Sequence, residues 1–319
     1  MKQYINELKP GDKVESVFAL AKKQLIPFKD PSKGKFMSLT LGDKTGQIDA
    51  KLWDGAEEAA AAITEESLVK VAGLVSEYRG NCQITVENIT KAEIGKWKPE
   101  DFLPSGMERE VLLEELRKVV ASLDNAHLKE LLSKWFSEKQ FLQAYLNCPA
   151  AKRVHHACIG GLAEHSLEIC SYAEQVAKHY PKLNRDLIIT GALLHDVGKL
   201  KEYRYETAIK VTDEGRLFGH SILGWDMIAA RIALQPEFPS VLADHLKHII
   251  FTHHGELEWG STVYPQTPEA MVVFYCDLLS GRVRQVFDLL QQDSQEEIWT
   301  NYDRLLSRAI YKGFQETEG

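Results

Sequence analysis

Side chains able to bind a metal ion interrupt several apolar stretches in the second half of this chain. "GALLHDVGKL", Gly191 to Leu200, is apolar up to Leu194 and then sets His195 and Asp196 side by side. His165 lies in "GLAEHSLEI", His220 in "LFGHSILG", His253 and His254 in "IIFTHHGE", and Asp277 in "MVVFYCDLLSGR". Singly, each has an ordinary explanation as a satisfied core group, a surface group or a helix-end contact. Left unpaired among apolar neighbours, any of them would be costly. Together they run H … HD … H … HH … D, the order a helical bundle needs to bring ligands from several helices to one point. Imidazole with carboxylate suits Mn²⁺, Fe²⁺, Co²⁺, Ni²⁺ or Zn²⁺ better than Ca²⁺, which takes oxygen donors.

This ordered set resembles the HD-domain metal-dependent phosphohydrolases, named for a dyad that here is His195–Asp196. The resemblance covers residues 150–290. It implies that His165, His195, Asp196 and Asp277 hold one divalent ion. It also implies that His220, with either His253 or His254, holds a second. Asp196 could then bridge both ions through its two oxygens. Two ions ~3.5–4 Å apart would acidify a shared water to hydroxide and neutralise charge on phosphoryl and leaving oxygens. Asp196, Lys199 and His254 are the candidate catalytic residues on this reading. Lys199, one turn past His195, could hold a phosphate oxygen or make an exposed salt bridge; Arg282 is a weaker phosphate candidate. The dyad continues as "VGKL", unlike the acidic pair of the alarmone hydrolases, and no Gly-Tyr-Pro signature of the cyclic-di-GMP enzymes is present. "GDKTG" lacks the spacing of a phosphate-binding P-loop.

The elements that must position these residues are legible in the hydrophobic pattern. With 319 residues, 44% of them hydrophobic and 26% charged, the chain has material for more than one domain. Beyond Gly106 nearly every segment reads as helix, including "EREVLLEELRKVVASL" and "AHLKELLSKWFSEKQFLQAYL", with apolar residues three and four apart. Upstream the pattern is β-type. "KVESVFALAKKQL" is one run, "KFMSLTLGDKTGQIDAKLW" a hairpin, "GAEEAAAAI" a helix, and "LVKVAGLVSEYRGNCQITVENI" a second hairpin. Three strands, a helix and two strands form the order of a five-stranded OB barrel. The expected organisation is therefore an all-β OB barrel at 1–93, a linker and connecting helices at 94–149, an all-α HD bundle at 150–290, and a helical extension at 291–319 ending in "SQEEIWTNYDRLLSRAIYKGF".

The barrel carries the indications of substrate. The net charge of −8 argues against indiscriminate coating of nucleic acid. Locally, though, seven basic residues face three acidic ones between Lys22 and Lys51. Lys22, Lys23, Lys33 and Lys35 cluster around the expected loop between the first two strands, with Phe28 as the favoured stacking residue. Phe36, Trp53 and Tyr78 could stack as well, but read more readily as barrel core. An OB barrel followed by an HD domain is similar to the YhaM family of 3′→5′ exoribonucleases over essentially the whole chain. That resemblance implies trimming of single-stranded RNA, often with activity on single-stranded DNA, and favours Mn²⁺. Nucleoside 5′-monophosphates are the expected product. Two alternatives stay open at this stage: a hydrolase of small nucleotides or cyclic dinucleotides with a regulatory barrel, and a non-catalytic single-strand-binding protein. The N-terminus lacks the apolar core of a signal peptide, and five cysteines with no C-x-x-C pair fit reduced thiols. A cytoplasmic protein without membrane partners is expected, with homo-oligomerisation through the last helix as an option.

Overall fold

Alternating apolar residues build the first unit. In β4 (Leu68–Tyr78), Val69, Val71 and Val75 point inward while Lys70 and Leu74 point out. β1 (Lys13–Pro27), β2 (Lys35–Asp43), β3 (Gly46–Leu52) and β5 (Asn81–Lys91) complete a closed barrel in the order β1-β2-β3-β5-β4. Its core holds Phe18, Leu20, Met37, Leu39, Ala50, Val71 and Ile84, with Ala56 from α1 (Ala56–Ala62) and Ile63 packed among them. β1 pairs with β4 through its first half and with β2 through its second, shifting register between Leu20 and Lys22. β4 shifts register at Ala72/Gly73, where a Cβ on Gly73 would stand 2.2 Å from the Thr85 carbonyl oxygen. Both hairpins form where expected, at Asp43–Gly46 and at Tyr78–Asn81.

We obtained this architecture as a computed structural model that describes residues 2–65, 67–78, 80–93, 96–152, 156–293 and 297–313. The chain divides into two units, Met1–Ser105 with Arg204–Lys210, and Gly106–Tyr203 with Val211–Gly319. The expected linker begins at Ile94 and Gly95, which lie outside the described residues; from Trp97 onward it is partly packed. Phe102 is buried in a small cluster with Val17, Leu68 and Ala92, because an apolar side chain so close to the barrel finds cover there.

The second unit is helical. α2 (Arg109–Ala121), α3 (Ala126–Ser137) and α4 (Lys139–Asn147) belong to it rather than forming a separate connector. α5 (Gly161–His179), α6 (Arg185–Leu194), α7 (Lys199–Glu202), α8 (Asp213–Ala233), α9 (Ser240–Thr252) and α10 (Pro268–Gln292) follow. Between α7 and α8 in the chain run short strands β6 (Tyr203–Tyr205) and β7 (Ile209–Val211), most of whose residues belong to the first unit. Side-chain caps set several helix starts: Asn125, Asn184, Thr212 and Thr267 each accept a backbone N–H from the first turn. α6 is the central helix, buried from Asp186 to Leu194. Asp186 accepts the amides of Asp124 and Asn125, which ties the start of α6 to the start of α3.

The predicted final helix does not form among the described residues. Between 297 and 313 the chain makes isolated bridges, Trp299 to Tyr311 and Asp303 to Arg308, around a turn with Ser307 at φ +54°. The Thr300 amide donates to the Ile310 carbonyl, the Ile310 amide donates to Thr300 Oγ1, and the aromatic rings of Trp299 and Tyr311 lie 5.1 Å apart. β-branched and aromatic residues at this spacing favour cross-chain pairing over helix. Ser294 to Glu296 and Phe314, the ends of that predicted segment, lie outside the described residues. No helix among the described residues is long and apolar enough to cross a membrane.

Candidate metal centre and strand-binding face

Five helices of the second unit deliver the predicted ligands to one place. His165 comes from the first half of α5, and Asp277 from the middle of α10. His195 caps the C-terminus of α6, with Asp196 in the turn that follows. His253 caps α9, with His254 next to it. His220 follows a break in α8 at Gly219, whose φ of +71° and ψ of +156° suit glycine alone. Two donor clusters result, one of His165, His195 and Asp277, the other of His220, His253 and His254.

Asp196 stands between them. Its Oδ2 is 3.2 Å from His195 Nε2 and 3.8 Å from His165 Nε2, whereas its Oδ1 is 3.3 Å from His220 Nε2 and 3.6 Å from His253 Nε2. His165 Nε2 also lies 3.0 Å from Asp277 Oδ1. His220 Nε2 approaches both His253 Nε2, at 3.3 Å, and His254 Nε2, at 3.1 Å. The adjacent histidines between which the sequence left the choice open are thus both brought to His220.

The ring nitrogens facing outward explain this convergence. His195 Nδ1 is 2.8 Å from the Ala192 carbonyl, and His253 Nδ1 is 2.7 Å from the Ile250 carbonyl, so each Nδ1 carries the proton and donates. His165 Nδ1 is 3.1 Å from Ser280 Oγ, and His220 Nδ1 faces Glu202 Oε2 at 3.2 Å. With protons on Nδ1, all four rings aim Nε2 lone pairs inward, as metal-binding histidines do. His195 Nε2 is buried and makes no hydrogen bond despite its closeness to Asp196. Lone pairs and carboxylate oxygens facing one another repel unless a cation lies among them, so the donor set fits divalent ions.

Electrostatics agrees with a ligand role. Burial holds His165 and His253 below the ordinary imidazole range, and burial beside the His220 ring brings His254 down to about 4. These rings are neutral near pH 7, as ligation requires. For Asp196, burial pushes upward but the charge of Lys199, with the His195 ring beside it, outweighs it and holds the carboxyl well below the usual range. Asp277 is likewise depressed: burial opposes, and its closeness to the His165 and His195 rings outweighs it.

The remaining predicted residues fall differently. Lys199 Nζ is 2.5 Å from Asp196 Oδ2, so it forms a buried pair instead of an exposed one. Arg282 donates to the Leu305 carbonyl and to Gln285, with its guanidinium 6.0 Å from the Trp259 ring, so the structure gives it structural partners. The sequence reading missed Glu202, Ser280, Glu168 and His156, which surround the histidines. Glu164 and Glu168, one turn apart on either side of His165, were the available signal, but that spacing equally marks a solvated helix face.

On the barrel, Phe28, Phe36 and Trp53 form an aromatic group with ring centres 4.8 to 6.0 Å apart. Lys51 Nζ lies 5.5 Å from the Trp53 ring and 5.1 Å from the Tyr78 ring. Trp53 is 39% exposed and Tyr78 51%, so neither belongs to the barrel core as expected, and Phe28 and Phe36 are only half-buried. The core is already filled by aliphatic residues and Phe18, which leaves the larger rings outside. Lys22 and Lys33 are exposed, and Lys35 pairs with Glu57 at 3.3 Å. Lys23 is a correction: its ammonium donates to the carbonyls of Ala60 and Ile63 at the end of α1. Those acceptors are the unsatisfied C-terminal groups of a helix, and they hold a cation well.

Comparison with known proteins agrees with both units. Residues 162–282 match the HD domain family, and residues 25–92 match the OB-fold nucleic acid binding domain family. The second OB-fold domain of replication protein A from Methanococcus maripaludis is 29% identical, covering 30% of this chain and 98% of that domain, at a TM-score of 0.24. The 3'-5' exoribonuclease YhaM of Geobacillus sp. (strain WCH70) is 33% identical over 287 residues, 88% of this chain and 87% of that protein. Its Bacillus subtilis counterpart is 32% identical over 285 residues, 88% and 90% of the respective chains. With likeness of this extent across both the barrel and the histidine-rich helical unit, the chain belongs to the 3'-5' exoribonuclease YhaM family.

Proposed function

We propose that this protein is a metal-dependent 3′→5′ exoribonuclease that releases nucleoside 5′-monophosphates from single-stranded RNA. The observation that carries the reading is Asp196, whose two oxygens each face a separate cluster of imidazole nitrogens. His165, His195, Asp196 and Asp277 would hold one divalent ion, and Asp196, His220, His253 and His254 a second, with Mn²⁺ favoured. Bound there, the ions would lower the pKa of water and neutralise charge developing on the phosphodiester. The chain's own residues set the conditions for that chemistry. The Ala192 and Ile250 carbonyls orient His195 and His253. Burial keeps His165, His253 and His254 neutral, and Lys199 compensates the charge of Asp196. On the barrel, Phe28, Phe36, Trp53 and Tyr78 would stack bases while Lys22, Lys33 and Lys51 meet phosphates. With water as the nucleophile the 2′-OH takes no part, so single-stranded DNA is a substrate too. This activity and the family suit a cytoplasmic protein.

Asp196→Ala tests the reading. It should abolish Mn²⁺-dependent release of mononucleotides from 5′-labelled RNA while leaving strand binding nearly intact. Retained cleavage by that variant would sink the assignment. An intact oligomer with rapid hydrolysis of mononucleotides would point to a small-nucleotide enzyme.

A further inference from the structure

His195 and His253 are oriented directly by backbone carbonyls, and His220 Nδ1 lies 3.2 Å from the Glu202 carboxylate; His165 is oriented at one remove. Ser280, buried on α10, donates its hydroxyl proton to Glu168 Oε2 at 3.1 Å. A hydroxyl has one proton to give, so its oxygen is left as an acceptor, and His165 Nδ1 lies 3.1 Å from it. Glu168 is held from other sides too. Tyr172 donates its hydroxyl to Oε1 at 2.5 Å, and His156 Nε2 lies 3.2 Å from Oε2. His156 is a buried residue with φ +57°, an unusual conformation for a side chain of this size. These hydrogen bonds, that of His156 foremost, bring the Glu168 carboxyl down to about 2 against the pull of burial. Glu168 is therefore an acceptor at every working pH.

We propose that Glu168, acting through the Ser280 hydroxyl, is a positioning residue that fixes the His165 proton on Nδ1 and so presents the Nε2 lone pair to a divalent ion. The inference rests on reading His165, His195, Asp196 and Asp277 as a metal centre. The direction of each hydrogen bond follows from that of the last: a carboxylate can only accept, the serine must then donate to it, and the serine oxygen must then accept from the imidazole. If Ser280 or Glu168 is replaced, this relay no longer favours the Nδ1–H tautomer, and His165 Nε2 can carry the proton and donate to Asp277 at 3.0 Å. That alternative hydrogen bond competes with ion binding. Tyr172 touches the same carboxylate on its other oxygen and lies outside the relay, which makes it an internal control.

The test compares wild type, Ser280→Ala, Glu168→Gln and Tyr172→Phe, with Mn²⁺ as the calorimetric titrant and ¹⁵N spectra of the histidine rings recorded on ion-free protein. The expected result is a His165 Nδ1–H tautomer in the wild type and in Tyr172→Phe, and a mixed or Nε2–H tautomer in the other two. In those two, affinity at one class of Mn²⁺ site should fall about 10- to 100-fold, with the other class unchanged. Melting of the ion-free variants separates this from a folding defect, since lost affinity in a variant that melts like wild type supports the relay. Wild-type affinity in both Ser280→Ala and Glu168→Gln would overturn it. So would equal losses in Tyr172→Phe. Failure of the wild type itself to bind Mn²⁺ would instead overturn the metal reading, and the relay's role with it.

Discussion

At the scale of single residues, the pair formed by Asp196 and Lys199 shows how a charged cluster survives inside a helical unit. Both groups are removed from water, which disfavours each charged form. Their mutual attraction outweighs that cost, raising the Lys199 ammonium above its ordinary range and depressing the Asp196 carboxyl. Lys199→Met should leave the carboxylate with histidines as its only close compensation. The ion-free variant is expected to lose about 3 kcal/mol of stability, in the range for breaking a buried pair. Saturating Mn²⁺ should restore most of it, because an ion that binds the folded state supplies the missing positive charge. Thermal melts in chelator and in Mn²⁺ read this directly; identical melts for variant and wild type in chelator would show that Lys199 does not stabilise Asp196.

At the scale of elements, the approach of α8 to the turn after the dyad is what brings the second cluster to Asp196. Gly198 has a φ of −63° and ψ of −18°, which any residue adopts in a helix. Its need for glycine is one of space. A Cβ there would stand 1.9 Å from the His220 carbonyl oxygen and 2.5 Å from the Gly224 amide. Gly198→Ala should push α8 outward, costing about 1–3 kcal/mol as overpacking does. Mn²⁺ affinity should fall at the site containing His220 and hold at the site containing His165. Equal affinity at both sites in this variant would mean that α8 does not depend on that close approach.

At the scale of the molecule, two units with separate chemistry predict separable defects. Trp53→Ala, or Phe36→Ala beside it, should weaken binding of single-stranded RNA by about 1–3 kcal/mol per stacked base. Calorimetric Mn²⁺ binding by the same variants should match wild type. Reversing charge at Lys22 and Lys33 should weaken binding at low salt and flatten the dependence of affinity on salt concentration. An unchanged slope would remove these lysines from the strand path. Lys23 supplies a contrast. Because its ammonium seats the end of α1, Lys23→Glu should lower barrel stability, seen as an earlier melt.

The sequence by itself determined the strand order of the barrel, the helical character of the rest and the identity of every ligand candidate. Each depends on local pattern: apolar alternation, three-and-four spacing, turn residues, and polar groups stranded among apolar ones. Tertiary structure decided which atoms of those residues meet. The Asp196 oxygens divide between two clusters because α8 and α9 approach on one side and α5 and α10 on the other, and no local pattern encodes that approach. The same reason hid the relay, since Ser280 and His165 are 115 positions apart. It also misassigned Lys23, Trp53 and the last segment. Whether a lysine reaches a phosphate or a helix end, and whether a ring fills a core, depends on what space the rest of the chain has already taken.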